Sequence, residues 1–204
     1  MNFISVIDII GTYAFAISGI RLASAKHFDL FGAFVVGLVT AVGGGTLRDL
    51  LLGVPPFWMS DISYLLVTGI ALVSVIFFSK YLVHLNNTIF IFDAIGLGLF
   101  VVVGIESSIA CGQDMWVVVV MGMITGTAGG VMRDILINEI PLIFRSEIYA
   151  LACLLGGLVY VILISYTMLP LIVVQIISAL TIIIIRILVA YFHISLPTLG
   201  KKSE

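Results

Sequence analysis

Long apolar runs, broken by short polar, glycine or proline segments, fill the chain almost to its carboxyl end. Each run is roughly 17–25 residues long, the length that an α-helix needs to cross the hydrocarbon core of a bilayer. The pattern therefore predicts seven membrane-spanning helices. Their expected ranges are 5–23, 30–52, 62–78, 89–107, 115–137, 147–165 and 171–192.

Composition places the chain among integral membrane proteins. Of its 204 residues, 62% are hydrophobic and 10% are charged, whereas soluble domains carry about 25% charged residues. Seven helices with short loops use up the length, so residues 1–204 are expected to form a single transmembrane domain. The net charge of −2 indicates no nucleic-acid partner.

An internal repeat organises the domain. Shifting the sequence by 85 positions superimposes glycines, charges and prolines without a gap, including Asp8 on Asp93, Arg48-Asp49 on Arg133-Asp134, and Pro56 on Pro141. Each copy holds three spans, an odd number, so the second copy must cross the membrane in the opposite direction. The predicted fold is all-α, an inverted-topology 3+3 repeat plus a seventh helix, with repeats at 5–84 and 90–169, the extra helix at 170–192 and a tail at 193–204.

Basic residues predict the orientation of the chain. One side of the membrane is expected to carry most of them, and the other only Arg48; the residues of the richer side are Arg21, Lys26, Lys80, Arg133, Arg145, Lys201 and Lys202. The positive-inside rule places this side, with the carboxyl terminus, in the cytoplasm and the amino terminus outside. Trp58 and Trp116 are then expected at the outer interface of a cell (inner) membrane.

A glycine motif followed by an adjacent cation and anion occurs twice. Gly43-Gly44-Gly45 precedes Arg48-Asp49, and Ala128-Gly129-Gly130 precedes Arg133-Asp134. Glycine costs about 1 kcal/mol relative to alanine in a helix interior, so three in a row predict a bend or break. Charged residues inside a membrane segment are expensive and mark transport pathways.

Two cross-helix ion pairs are predicted from the repeat, Asp8 with Arg48 and Asp93 with Arg133. Adjacent residues of a helix point about 100° apart, so Arg48 and Asp49 are not expected to satisfy each other well. The alternative is that these groups only fasten helices together or reach to the interface.

The remaining polar residues are expected to have ordinary structural roles. Arg186 is expected to extend to the interface, Asp61 and Glu147 to cap helices, and Cys111 and Cys153 to stay unpaired because they lie at different depths. Single histidines at the membrane surface, with no metal-ligand spacing, are His27, His84 and His193. No enzyme motif, cofactor motif or metal site is found.

The duplicated motifs, with the turn at Pro55-Pro56, resemble the prokaryotic members of the trimeric intracellular cation (TRIC) channels, over all seven helices. The resemblance implies a homotrimer with one pore per protomer that conducts monovalent cations such as K⁺ and Na⁺. It also implies that the second and fifth helices kink at the glycine motifs and line the pore with the first and fourth. Ala128, where the first repeat has Gly43, departs from the pattern and would stiffen the second kink.

In a pore between the repeats, the buried charges Asp8, Arg48, Asp49, Asp93, Arg133 and Asp134 are expected to line the path or gate it. Selectivity would rest on pore width, carbonyls and hydroxyl groups, the candidates being Thr12, Ser18, Thr40, Thr46, Thr125 and Thr127. The alternative is a secondary transporter of a small solute such as an amino acid, because inverted repeats with broken helices are common in such carriers. A scaffold without transport leaves the duplicated charges unexplained.

Overall fold

The computed structural model describes residues 3–78, 88–145, 148–192 and 194. Several predictions fall outside these residues and have no structural counterpart below. They concern Lys80, His84, Glu147, His193, Lys201, Lys202 and the tail.

The described residues form seven helices, each within three residues of its predicted bounds. They are α1 (Phe3–Ala25), α2 (Leu30–Leu52), α3 (Ser63–Phe77), α4 (Thr88–Ala110), α5 (Met115–Leu136), α6 (Ala150–Tyr166) and α7 (Leu171–Tyr191). Short 3₁₀ turns follow α2 and α5, at Phe57–Met59 and Leu142–Phe144. Five of the helices are long and apolar enough to span a membrane, and α3 and α6 are shorter apolar helices.

The helix ends repeat along with the sequence. After α2, Gly53 adopts a left-handed conformation with φ 73°, and its repeat mate after α5 is Asn138 with φ 58°. After α1, His27 has φ 61°, and its mate after α4 is Gly112 with φ 71°. A left-handed residue stops a helix and turns the chain back, so matched residues end the first two helices of both repeats.

Contacts between the repeats are reciprocal, as an inverted repeat requires. A Cβ atom placed on Gly11 would lie 3.0 Å from the Phe100 ring, and one placed on Gly96 would lie 2.1 Å from the Phe15 ring. Gly11 matches Gly96 and Phe15 matches Phe100 in the repeat. From the first of these contacts to the second, the residue number rises in α1 and falls in α4. These two helices therefore pack antiparallel.

Helices α2 and α5 cross at the two glycine motifs. A Cβ on Gly44 would lie 2.1 Å from the Thr125 carbonyl oxygen, and a Cβ on Gly129 would lie 2.2 Å from the Thr40 carbonyl oxygen. Both helices remain α-helical through the glycines, so the predicted break is absent. A bend at these positions stays a prediction. The glycines let two backbones touch at the centre of the bundle.

Candidate functional site

The two ends of the bundle differ in their charged side chains. One end, called here the basic end, carries Lys26, Arg133, Arg145 and Arg186 at the ends of α1, α5 and α7 and in the turn after α5. The other, called the tryptophan end, carries Trp58 after α2 and Trp116 at the start of α5. The antiparallel crossing of α2 and α5 places the two tryptophans at the same end.

At the basic end, a fully buried network surrounds Arg133. Its Nη1 donates to Asp93 Oδ1 of α4 at 2.5 Å and to Ser18 Oγ of α1 at 2.7 Å. Its Nε donates to Asp134 Oδ1 at 2.9 Å. Arg133 and Asp93 are each 1% exposed, and the predicted pair between them is confirmed. One guanidinium thus joins α1, α4 and α5.

The prediction that Arg48 and Asp49 would satisfy each other poorly is wrong. Arg48 donates from Nε to Asp49 Oδ1 at 2.8 Å and also lies 2.7 Å from it through Nη2. In the second repeat, Arg133 likewise contacts Asp134 Oδ1 through Nε. The long, flexible arginine side chain folds back across the 100° that separates neighbouring positions.

The 3₁₀ turns supply a second hydrogen-bond partner to each of these aspartates. Asp49 Oδ2 accepts from the Phe57 backbone N–H at 2.8 Å, and Asp134 Oδ2 accepts from the Leu142 backbone N–H at 3.0 Å. Each aspartate therefore bonds its own arginine with one oxygen and the following turn with the other. The prolines at 56 and 141, which precede these turns, were the sequence signal for this arrangement.

The other predicted pair, Asp8 with Arg48, is wrong. The salt bridges among the described residues do not join them; instead Asp8 Oδ2 accepts a hydrogen bond of 2.6 Å from Tyr64 Oη of α3. Arg48 keeps Asp49 and lies 5.4 Å from the centroid of the Phe57 ring. The hydrogen-bond partner of Asp8 is therefore the hydroxyl group of Tyr64 and not Arg48.

Tyr149 matches Tyr64 in the repeat, but the hydrogen bonding of its hydroxyl group differs. The Tyr149 hydroxyl is buried and has no hydrogen-bond partner among the described residues, while Asp93 is bound by Arg133. A Cβ on Gly130 would lie 3.0 Å from Tyr149 Oη and 3.9 Å from Asp93 Oδ1, so both atoms flank the same point. Equivalent residues thus form two different networks at the two ends.

A cavity of about 410 Å³ opens at the basic end, and its inner wall contains the Arg133 network. The charged residues that line it are Lys26, Asp93, Arg133, Asp134, Glu139, Arg145 and Arg186. Asp93 Oδ2 is buried there without a hydrogen-bond partner among the described residues. Asp93 therefore lines the cavity with one carboxylate oxygen that no other described residue engages.

An ion-pair triad lies at the mouth of this cavity. Glu139 accepts from Lys26 Nζ at 2.5 Å and from Arg145 Nη2 at 3.3 Å. The hydrogen bond and the charge of Lys26 lower the pKa of Glu139 below its ordinary value. Since Lys26 ends α1 and Glu139 follows α5, the triad connects the first repeat to the second.

Arg186 does not extend to the interface, which corrects the prediction for this residue. Its side chain is 0% exposed, and its guanidinium lies 5.0 Å from the centroid of the Phe90 ring and 4.6 Å from that of the Tyr149 ring. Cation–π contacts of this kind stabilise a cation away from water. They place Arg186 inside the bundle next to the Arg133 network.

The predicted pore hydroxyls are spread over the interior and do not gather at one point. Ser18 binds Arg133, and Thr46 Oγ1 accepts from Trp58 Nε1 at 2.9 Å. Thr40, Thr46, Thr125 and Thr127 each donate to the carbonyl four residues earlier in their own helix. The hydroxyl of Thr12 is buried without a partner among the described residues. Whether these groups line a pore stays a prediction.

Three predictions about other polar residues can be compared with the structure. The Ser63 backbone N–H donates to Asp61 Oδ1 at 2.9 Å, so Asp61 binds the first residue of α3, but the N-cap position itself is Ile62. Cys111 is exposed, Cys153 is buried and both are free, as predicted. The described residues contain no group of histidine, cysteine and carboxylate side chains that could hold a metal ion.

Sequence reasoning passed over Tyr64 and Tyr149 as participants, although their match in the repeat was a usable signal. It also passed over a polar cluster at the tryptophan end, where Glu106 of α4 meets Tyr160 of α6 and Gln175 of α7. Gln175 lies in the helix outside the repeat, so the internal repeat gives no signal for this cluster.

Comparisons with known proteins give a consistent family. A family model described as Glycine transporter matches residues 5–80 and again 90–165, the same shift of 85 as the internal repeat. The UPF0126 inner membrane protein YadS of Escherichia coli is 39% identical over 194 residues, 94% of each chain.

Two solved structures are similar along the whole chain. A TRIC trimeric intracellular cation channel orthologue from Rhodobacter sphaeroides has 33% identity and a TM-score of 0.87, over 95% of this chain and 100% of that one. Another TRIC cation channel has 36% identity and a TM-score of 0.87 over 100% of both chains.

Proposed function

The chain belongs to the family of the prokaryotic TRIC channels and UPF0126 membrane proteins, and from this premise we propose that it is a cation channel with a path through each protomer. The observation that carries the proposal is the buried Asp93–Arg133 pair at the inner wall of a cavity that opens at the basic end. A buried ion pair is costly to form, which favours a functional role for one at this position.

Three of the four cationic side chains that line the cavity are paired with carboxylates, which weakens their repulsion of a cation. Arg133 is bound by two aspartates, and Lys26 and Arg145 both bind Glu139. Asp93 Oδ2, which has no hydrogen-bond partner among the described residues, offers an anionic oxygen to a dehydrated cation, and hard monovalent cations prefer oxygen ligands. We expect weak selectivity between K⁺ and Na⁺, because it would rest on pore width and on scattered carbonyl and hydroxyl groups.

The difference between the networks at the two ends suggests how the channel opens and closes. At the basic end Arg133 binds Asp93 and Ser18, and in this proposal that network closes the path; at the tryptophan end Asp8 is bound by Tyr64 and not by Arg48. The arrangement in the first repeat, with the aspartate on the tyrosine, serves as the template for the open state of the second. Opening would move Asp93 from Arg133 to Tyr149, while Arg133 keeps Asp134.

In this proposal the glycine-rich crossing of α2 and α5, Gly43–Gly45 with 128–130, lines the middle of the path together with α1 and α4, and a bend there opens it. The assembly in this proposal is a homotrimer in the cell membrane; the Rhodobacter sphaeroides channel is named as trimeric. The basic end faces the cytoplasm by the positive-inside rule.

A carrier of a small amino acid is the second candidate, and the description Glycine transporter favours it. In that case the Arg133 network would bind the carboxylate of the solute, and transport would saturate with solute concentration. A channel instead conducts in unitary steps, and its reversal potential follows the ion gradient.

The test is recording from the purified protein in planar bilayers under a KCl gradient, beside glycine uptake into liposomes. The channel proposal predicts discrete steps that reverse near the K⁺ equilibrium potential and no saturable uptake. Saturable glycine uptake without unitary currents would replace the channel with the carrier. Unitary currents that reverse near the Cl⁻ potential would contradict cation conduction.

A further inference from the structure

A polar cluster that the proposed pathway does not use lies at the tryptophan end. Glu106 Oε1 accepts from Tyr160 Oη at 2.5 Å and from Gln175 Nε2. The salt bridges among the described residues give Glu106 no basic partner. At the matching position the first repeat has Arg21, so this carboxylate is not a consequence of the internal symmetry.

A cavity of about 550 Å³ lies against this cluster, at the opposite end of the bundle from the Arg133 cavity. Its polar residues are Glu106, Ser107 and Gln175. Its apolar wall is formed by Phe3, Ile4, Ala110, Leu171 and Ile172. Volumes of this size hold small organic ligands, and such sites combine apolar walls with a few convergent polar groups.

The three polar residues have acceptor capacity left, whereas the Ser107 hydroxyl and one amide N–H of Gln175 already donate. Ser107 Oγ donates to the Val103 carbonyl at 2.9 Å, and Gln175 Nε2 donates to Glu106. Gln175 is 4% exposed, and its Oε1 is buried without a partner among the described residues. An ionised carboxylate accepts through about four lone-pair positions, and Glu106 uses two of them here. The site therefore favours a ligand that donates hydrogen bonds and carries positive charge.

We propose that this cavity binds a primary ammonium group attached to an apolar chain. A primary ammonium has three N–H donors, which match the carboxylate of Glu106, the hydroxyl of Ser107 and the amide oxygen of Gln175. The apolar chain packs against Leu171 and Ile172, which are about half exposed at the surface of α7. The same chemistry comes from a free alkylamine or from the headgroup of an ethanolamine phospholipid.

The test measures the thermal unfolding of the full chain in a neutral detergent while hexylammonium chloride is titrated, with hexanol as the uncharged probe. Hexylammonium should raise the unfolding temperature of the wild type and of Asp114→Asn, an exposed carboxylate at the same end outside the cavity. In Glu106→Gln the apparent Kd should be weaker by about tenfold or more, because a charge-assisted hydrogen bond is lost. Ser107→Ala, which leaves the Glu106 bonds intact, should weaken binding by a smaller factor.

A second titration separates the two sources of the ammonium. Stabilisation by phosphatidylethanolamine but not by phosphatidylcholine identifies the lipid headgroup, and stabilisation by hexylammonium alone identifies a free amine. Equal responses of the wild type, Glu106→Gln and Ser107→Ala, or equal effects of hexanol and hexylammonium, would overturn the proposal. No response to any of the probes would overturn it as well.

Discussion

At the scale of single residues, each arginine–aspartate motif is completed by the 3₁₀ turn that follows it, and Arg133 also binds Ser18 and Asp93 from distant parts of the chain. The repeat and the cost of buried charge led correctly from sequence to the Asp93–Arg133 pair. The same argument failed for Asp8, because it considered only charged partners and passed over Tyr64 of α3. Which of two competing donors binds a buried carboxylate depends on packing distances that the sequence does not express.

Tyrosine-to-phenylalanine substitutions at the two matched positions should have unequal effects on stability. Tyr64→Phe removes the 2.6 Å bond to Asp8 and leaves a carboxylate without its donor, so we expect a loss of about 1–3 kcal/mol. Tyr149→Phe removes a buried hydroxyl that has no partner among the described residues and should be neutral or slightly stabilising. Thermal unfolding of the two purified variants in detergent compares them directly; equal losses would refute the assigned networks.

At the scale of helices, the pattern of apolar runs was sufficient to predict all seven helices and to place each of their bounds within three residues. The role of the glycines was harder to predict. Helix propensity alone indicates a break at three consecutive glycines. Contact with another helix stabilises the segment, and the chain remains α-helical through it. The small residues can be read from the sequence. Which helix packs against them follows only from the tertiary structure.

Alanine substitutions distinguish packing glycines from free ones. Gly44→Ala and Gly129→Ala place a methyl group against a carbonyl of the facing helix, so each should destabilise the protein by about 1–3 kcal/mol. Gly69→Ala in α3 is the matched control, because a Cβ there meets nothing within 4 Å; it should be neutral or stabilising by up to about 1 kcal/mol. A tolerant Gly44→Ala variant would contradict the close crossing of α2 and α5.

At the scale of the whole molecule, the two repeats and α7 form cavities of different chemistry at opposite ends of the bundle. Charge asymmetry between the ends was readable from the basic residues along the sequence. The cavity at the basic end and the Glu139 triad across its mouth were not, since they join positions more than 100 residues apart, such as Lys26 and Glu139 with a separation of 113. The triad couples the end of the first repeat to the end of the second.

The Lys26–Glu139 contact should respond to acid and salt. Because Lys26 depresses the pKa of Glu139 below 4.5, the stabilisation is complete above that value and is lost as the pH falls through the depressed pKa. The difference in unfolding temperature between wild type and Glu139→Gln should therefore be constant from about pH 8 to about pH 5 and shrink below it. High salt should also reduce it, and Lys26→Gln should reproduce the pattern. A difference that grows in acid would contradict this assignment.

The measurement that tests the gating account most directly is the open fraction of single channels of wild type, Ser18→Ala and Tyr149→Phe in the same KCl gradient. Ser18→Ala removes an acceptor of Arg133 in the closed network, so the open fraction should rise by roughly tenfold for a charged hydrogen bond of about 1.5 kcal/mol. Tyr149→Phe removes the donor that receives Asp93 in the open state, so the open fraction should fall while the unitary conductance stays the same. Unchanged open fractions, or shifts of both variants in one direction, would contradict a gate in which Asp93 exchanges between Arg133 and Tyr149.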